Sequence, residues 1–315
     1  MEATKTPNRT LFDKFKTLKT NTKVEGDCTF LETHSGHKRS EQLQILTELS
    51  KCLPLFSCRS FEDLVHFQHV KKNPVQRWFP YREGYSIQLV DTFIKDLKIT
   101  GNIFDPFVGT GTTLLASRMN NLNSFGIDVN PVSVFIAKVE NEQYNSQDII
   151  RLEKEKEEFA KVEKSKEVFS TSFRLADKVF NEEILQALLQ FKQYISYISH
   201  KKVKNIFFLA WLAIIERVSN IKKEGNGIKY KNRKRTRNGY ITIEKMKWEE
   251  ENLPTDKYNF VKVQIINLLS DILLDLKVNY GSCNNKPSIY QGSCLRFDDF
   301  FKDEFELTFK EIIKA

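Results

Sequence analysis

The stretch NIFDPFVGTGTTLLASRMNNLNSFGIDVNPVSVFIAKV, residues 102–139, joins an apolar run to a glycine-containing turn and the start of a helix. Gly109 and Gly111 permit dihedral angles and close approaches that a Cβ atom would forbid. The N–H groups at a helix N-terminus favour a negatively charged ligand. Asp128 ends the next apolar run, where an acid can accept hydrogen bonds from both hydroxyls of a ribose. The stretch therefore predicts a strand–turn–helix unit that binds an adenosine-bearing cofactor.

Two common nucleotide-binding turns fit this stretch poorly. The phosphate-binding loop of nucleotide hydrolases needs a lysine after its last glycine, and no lysine follows Gly111. A dinucleotide fingerprint needs a third small residue where this chain has Leu114, which argues against NAD.

The segment DPFVGTGTT, residues 105–113, closely resembles the DPFxGSGTT motif of S-adenosylmethionine-dependent amino-methyltransferases that act on DNA. The upstream segment NPVQRWFPYREGYSIQLVDTFI and the downstream segment GIDVNPVSVFIAKV are also similar to this family, so that the resemblance extends over residues 65–300 or so. It implies S-adenosylmethionine as cofactor, DNA as partner and methylation of an exocyclic amine of cytosine or adenine in a restriction–modification system. The implied cofactor-binding residues are Phe79, Tyr81, Asp105, Phe107, Gly109, Gly111, Thr113, Asp128 and Asn130.

The order of predicted elements around this turn is βαβα, which indicates a parallel sheet covered by helices. The predicted fold class is α/β, with a Rossmann-like methyltransferase sheet and a large helical insertion after the second strand. The segment QDIIRLEKEKEEFAKVEKSKEVF is charged nearly all round and is expected to face solvent. Four parts are predicted: a polar segment at 1–60, a cofactor-binding core at 61–140, a helical insertion with a basic segment at 141–280, and a return to the sheet at 281–315.

The positive charge of the chain is concentrated in one segment. Residues 201–237 contain 12 lysines and arginines against two acids, whereas the whole chain has a net charge of +8. The densest part is KYKNRKRTRNGY, residues 229–240, which combines three arginines with Tyr230 and Tyr240. Such a run can be a solvated loop, or it can contact phosphates and stack on bases. The predicted nucleic-acid contacts are Arg233, Lys234, Arg235 and Arg237.

No catalytic residue of the implied reaction is found in the chain. The family uses a Pro-Pro-aromatic motif, preceded by Asp, Asn or Ser, at the end of the fourth strand to hold the target amine and stack on the flipped base. No two of the eight prolines are adjacent, and the chain reads FELTFKEIIKA where this motif is expected. Three alternatives remain: one subunit of a split enzyme, a truncated product, or a cofactor-binding module without catalysis. The expected partner is a second polypeptide or C-terminal half that completes the sheet, without which the chain is expected to transfer no methyl group.

Two other functions are compatible with the sequence. A tRNA guanine-N2 methyltransferase uses a similar turn, and a non-catalytic nucleic-acid-binding or assembly subunit would keep the turn as structure. No metal site is predicted, because the histidines and cysteines of the first seventy residues match no common zinc spacing. Five scattered cysteines, no secretory signal and no apolar run of about 18 residues predict a cytoplasmic protein outside the membrane.

Overall fold

The computed structural model describes residues 73–224, 227–236, 239–278 and 285–296, together with Leu64 and Phe300. All the elements below belong to the compact unit of residues 66–301. The predicted helix at residues 40–53, the predicted strand FELTF and the cation Arg237 lie outside the described residues.

A three-stranded parallel sheet carries the glycine turn. Its strands are β1 (Ile103–Asp105), β2 (Ser124–Asp128) and β7 (Ser288–Gln291), in the order β1-β2-β7. Phe104 pairs with Phe125, and Gly126 pairs with Ile289. Helices α1 (Ile87–Asp96), α2 (Thr112–Met119) and α3 (Pro131–Glu140) flank these strands. The predicted α/β class with a parallel sheet is therefore confirmed.

Between β2 and β7 the chain is mostly helical. The helices after α3 are α4 (Ser146–Ala160), α5 (Ala176–Val179), α6 (Glu182–Tyr197), α7 (Lys201–Val218), α8 (Lys245–Asn252) and α9 (Lys257–Lys277). Helices α4, α6, α7 and α9 pack together around Phe159, Phe191 and Phe207, whose rings meet edge to face. The expectation that the charged segment of α4 faces solvent is wrong on one side, because Leu152 and Phe159 are fully buried. These two residues are seven positions apart and so fall on one helix face.

The basic segment forms two β-hairpins in place of a loop or a helix. Strands β3 (Ile221–Glu224) and β4 (Gly227–Tyr230) form the first hairpin, and β5 (Arg233–Thr236) and β6 (Gly239–Thr242) form the second. A glycine begins the second strand of each hairpin, and apolar residues alternate with a cation only in β4, where Lys229 stands between Ile228 and Tyr230. The strand signal in this segment is therefore weak.

No helix in the described part of the chain is both long enough and apolar enough to cross a bilayer.

Candidate functional site

The turn between β1 and α2 has the two left-handed glycines that its sequence requires. Gly109 has φ 50° and Gly111 has φ 91°. The N–H of Phe107 donates to Asp105 Oδ1 at 3.0 Å, and the N–H of Gly111 donates to the carbonyl of Val108 at 2.8 Å. Gly111 itself is the N-cap of α2, and it has no side chain that could cap this helix. The first N–H groups of α2 therefore face outward at the turn without a side-chain cap.

Asp128, at the end of the neighbouring strand β2, reaches this turn. Its Oδ2 accepts from the N–H of Gly109 at 2.9 Å, and its Oδ1 accepts from the N–H of Asn130 at 2.8 Å. Asn130 caps α3 by accepting from the N–H of Val132 at 3.0 Å, and Pro131 opens that helix. A carboxylate has about four acceptor sites, so Asp128 can still accept from two hydroxyl groups.

The segment before α1 packs against the turn from the other side. The ring of Tyr81 would lie 3.3 Å from a Cβ atom placed on Gly109. Tyr85 and Thr113 share a hydrogen bond of 2.5 Å between their hydroxyl groups. Burial and the nearby Asp105 raise the pKa of the Tyr85 hydroxyl, which is therefore neutral at physiological pH. The structure thus places Tyr81 and Thr113 at the turn, and Phe79 is two residues before Tyr81 in the same segment.

Two buried amides hold the turn, and sequence reasoning did not single out either. Gln76 donates from Nε2 to Thr112 Oγ1 at 3.0 Å, and its Oε1 accepts from the N–H of Ile87 at 3.0 Å. Asn141 donates from Nδ2 to the carbonyl of Ala137 at 3.0 Å and lies against Gly111. Gln76 is 4% exposed and Asn141 is 2% exposed.

The carboxyl ends of the three parallel strands form one edge with exposed apolar side chains. Phe107 after β1 is 75% exposed, Val129 after β2 is 68% exposed, and Leu295 after β7 is 92% exposed. Ligands of open α/β sheets bind at this edge. The sequence analysis identified Phe107 alone of these three, because β7 is far from β2 along the chain.

Glu140, beside Asn141, is buried as a carboxylic acid. Burial raises its pKa well above the usual range, and no described group donates to its Oε1. The contribution of the uncharged Glu140 to folding stability is fully present below the ordinary glutamate pKa of about 4.3. This contribution is lost as the pH rises towards the raised pKa of Glu140 in the folded state. We expect Glu140→Gln to raise the free energy of unfolding at pH 7 by about 1–3 kcal/mol. Urea titrations between pH 4 and pH 8 measure this effect.

The matched control is Glu157→Gln, which changes an exposed carboxylate on α4. It should leave the pH dependence of unfolding as in the wild type. Identical pH profiles for Glu140→Gln and the wild type would contradict the assignment of a buried, protonated Glu140.

The predicted nucleic-acid contacts lie in the second hairpin. The side chains of Arg233 and Lys234 are exposed, and Arg235 also lies in β5. Among the predicted cations whose side chains the structure describes, Arg233 and Lys234 lie in the second hairpin and not in the glycine turn.

A network of polar groups holds the ends of both hairpins that lie next to α7. The sequence did not predict this network. Asn220 is 3% exposed. Its Oδ1 accepts from the N–H of Asn232 at 3.2 Å, and its backbone carbonyl accepts from the N–H of Lys231 at 2.7 Å. Lys231 Nζ donates to the carbonyls of Glu216 at 2.8 Å and Ser219 at 2.6 Å, at the end of α7. Burial lowers the pKa of Lys231. Lys231 is therefore a structural cation, unlike its exposed neighbours.

Two cavities are lined by other residues than those of the 105–113 turn. One of about 780 Å³ is bordered by Trp78, Phe79, Arg217 and Lys231, and one of about 350 Å³ by Lys138, Asn141, Lys202 and Tyr290.

No group of three or more His, Cys, Asp and Glu side chains suited to a metal ion occurs in the ranges that the structure describes. The candidates weighed in the sequence lie outside these ranges: Cys28, His34, His37, Cys52, Cys58, His66 and His69.

Comparison with known proteins gives relatives of one kind. The type II methyltransferase M.BsoBI of Geobacillus stearothermophilus is 28% identical over 242 residues, which are 72% of this chain and 46% of the relative. The type II methyltransferase M.AvaI of a Nostoc strain is 25% identical over 77% of this chain and 50% of its own length. The type II methyltransferase M.MjaII of Methanocaldococcus jannaschii is 38% identical over 74 residues, 23% of this chain.

No protein-family profile matches the chain, and no solved structure matches it. The chain spans about half the length of the first two relatives. The resemblance inferred from the DPFVGTGTT turn is thus confirmed, because the chain is similar over about three quarters of its length to type II methyltransferases.

Proposed function

We propose that this chain is the cofactor-binding part of a DNA methyltransferase that uses S-adenosylmethionine and acts on an exocyclic amine of cytosine or adenine. The observation that carries the proposal is the pairing of the Gly109–Gly111 turn with the Asp128 carboxylate. The two come from neighbouring parallel strands and meet through the 2.9 Å hydrogen bond between Gly109 N and Asp128 Oδ2.

The residues at this edge fit each part of the cofactor. Asp128 can accept both ribose hydroxyls, and the glycines let the chain approach without a Cβ atom. The exposed phenyl group of Phe107 and the isopropyl group of Val129 offer apolar surface for an adenine ring. Asp105, Tyr81 and Thr113 lie on the side of the turn where the amino-acid part of the cofactor would extend. When bound, the cofactor supplies an electrophilic methyl group.

The fold also supports a more detailed proposal about the sheet and the helical insertion. We propose that β1, β2 and β7 are the first three strands of a Rossmann-like methyltransferase sheet, and that residues 141–280 are an insertion after the second strand. The parallel order β1-β2-β7 and the helices between β2 and β7 support this interpretation. In the same proposal, residues 61–140 form the cofactor-binding core and residues 281–315 return to the sheet.

The proposed substrate is DNA. The relatives are type II methyltransferases, and the exposed Arg233 and Lys234 add positive charge on a projecting hairpin. Methyl transfer requires the amine to be held in line within about 3–3.5 Å of the methyl carbon. These 315 residues contain no Pro-Pro-aromatic motif for that task. We therefore propose that transfer requires further sequence carrying this motif, in a longer chain or in a second polypeptide.

The test of the proposed function is cofactor binding by an Asp128 variant. Asp128→Ala removes the acceptor for the ribose hydroxyls, and losing hydrogen bonds to a charged group costs about 1.5–3 kcal/mol, or roughly ten- to a hundredfold in affinity. Isothermal titration with S-adenosylhomocysteine measures the change.

Asp96→Ala, at the exposed end of α1, is the matched loss of a carboxylate away from the turn. It should bind the ligand as the wild type does. A folded wild-type chain that gives no heat with S-adenosylhomocysteine or S-adenosylmethionine would overturn the proposal.

A further inference from the structure

The two hairpins combine a fixed base with an exposed surface. Asn220, Lys231 and Asn232 fasten both hairpins to the end of α7, as described above. All four residues of β4 are exposed, and so are the described side chains of β5. A solvated loop would need no buried network of this kind at its base. The arrangement is that of a rigid element that presents its strands outward.

The exposed surface carries apolar side chains opposite cations. Ile228 is 70% exposed and pairs across the first hairpin with Lys223, whereas Ile241 is 55% exposed and pairs across the second with Lys234. Side chains alternate between the two faces of a strand. Lys222 and Lys229 therefore share the opposite face of the first hairpin, directly across from each other.

We propose that the two hairpins, residues 221–230 and 233–242, are the element that reads base sequence in duplex DNA. This inference rests on the proposed DNA substrate and adds the site that determines specificity. A two-stranded ribbon fits the major groove, where an apolar side chain can contact the methyl group of thymine. In this arrangement Ile228 and Ile241 contact base edges, and Lys234 contacts a phosphate.

The first hairpin is also tied to the segment that packs on the glycine turn. Lys223 forms an ion pair with Glu83, and its N–H donates to Glu216 Oε1 at 3.1 Å. Arg82 pairs with the same Glu216 carboxylate at 2.5 Å. Arg82 follows Tyr81, whose ring lies against Gly109. These contacts connect the two hairpins to the segment that packs on the glycine turn. A base-specific methyl transfer requires such a connection between the DNA-reading element and the cofactor.

The experiment separates base reading from phosphate binding. The full chain selects its preferred sequence from a pool of duplexes with a randomised centre, and affinities for the selected and a scrambled duplex are then measured across a salt series. Ile228→Ala and Ile241→Ala should each lower the selected-to-scrambled affinity ratio by about four- to tenfold, with the salt slope unchanged. Lys234→Ala should weaken both duplexes equally and reduce the salt slope by about one.

Ile150→Ala is the matched control, because Ile150 is also 55% exposed but lies on α4. Ile228→Thr and Ile241→Thr keep a β-branched side chain, so a drop in the ratio for these variants too excludes mere loss of the hairpin. Unchanged ratios in the isoleucine variants, or a wild type that binds both duplexes equally in a salt-dependent way, overturn base reading and leave the proposed DNA substrate standing. A wild type that binds no duplex at low salt overturns both.

Discussion

Replacing Asp275 with alanine is expected to lower the free energy of unfolding by about 2–5 kcal/mol, since two buried N–H donors lose their acceptor at a cost of about 1–3 kcal/mol each. The Asp275 side chain is 4% exposed. Its Oδ2 accepts from the N–H of Val75 at 3.0 Å and from Trp78 Nε1 at 2.9 Å, and its Oδ1 accepts from the Arg77 guanidinium at 2.6 Å. The hydrogen bond to Asp275 also raises the pKa of Arg77.

The loss should be large because Asp275 holds a strained segment in place. Val75 has φ 65°, a region that a β-branched residue rarely adopts, and it is 3% exposed. Strain of this kind persists only where the surrounding structure enforces it. Without the carboxylate, the indole N–H of buried Trp78 and the N–H of Val75 lose their acceptor. For a unit of this size the melting temperature should fall by about 10 °C.

Thermal unfolding followed by circular dichroism measures the change, and Asp271→Ala is the control. Asp271 is an exposed carboxylate one turn earlier on α9, so its removal should shift the melting temperature by about 1 °C or less. Equal melting temperatures for Asp275→Ala and Asp271→Ala would show that the segment of residues 75–78 is held by packing alone.

The glycine turn and the strand–turn–helix–strand unit around it were predictable because their signals are local. Gly109, Gly111 and Asp128 fall within one strand–turn–helix–strand unit, where each backbone requirement can be read from adjacent residues. Gln76, Asn141 and Asp275 have no such signal. Asp275 bonds to Val75 across 200 residues of sequence, and nothing near either residue indicates the other.

The hairpins were missed for a different reason. Strand prediction depends on alternating apolar residues that face a core, whereas β4 is exposed throughout and carries a lysine between Ile228 and Tyr230. Lysine-rich sequence resembles a solvated loop when only composition is considered. What makes these residues a hairpin is the network at its base, where Asn220 and Lys231 satisfy backbone groups that a strand alone would leave open.

Gly111→Ala is expected to lower the unfolding free energy by about 2–4 kcal/mol and to weaken cofactor binding by at least thirtyfold or so. Two effects add. An alanine at φ 91° adopts a strained backbone, and its Cβ would lie 2.6 Å from Asn141 Nδ2 and 3.2 Å from Ala137 Cβ. Asn141 is buried and bonded to the carbonyl of Ala137 at 3.0 Å, so it cannot turn away without losing that hydrogen bond.

A double-mutant cycle separates the contact from the strain. Asn141→Ala in the Gly111→Ala background removes the close contact and should recover part of the stability, while the strain of the left-handed position remains. Gly101→Ala is the control, because no atom lies within 4 Å of its added Cβ. Urea unfolding reports stability, and titration with S-adenosylhomocysteine reports affinity. If Gly111→Ala unfolds at the wild-type urea concentration, the left-handed turn is not required by the fold. If it is destabilised as expected but binds the ligand with wild-type affinity, the turn is structural and the cofactor site lies elsewhere, because a site built on this backbone must move when Gly111 moves.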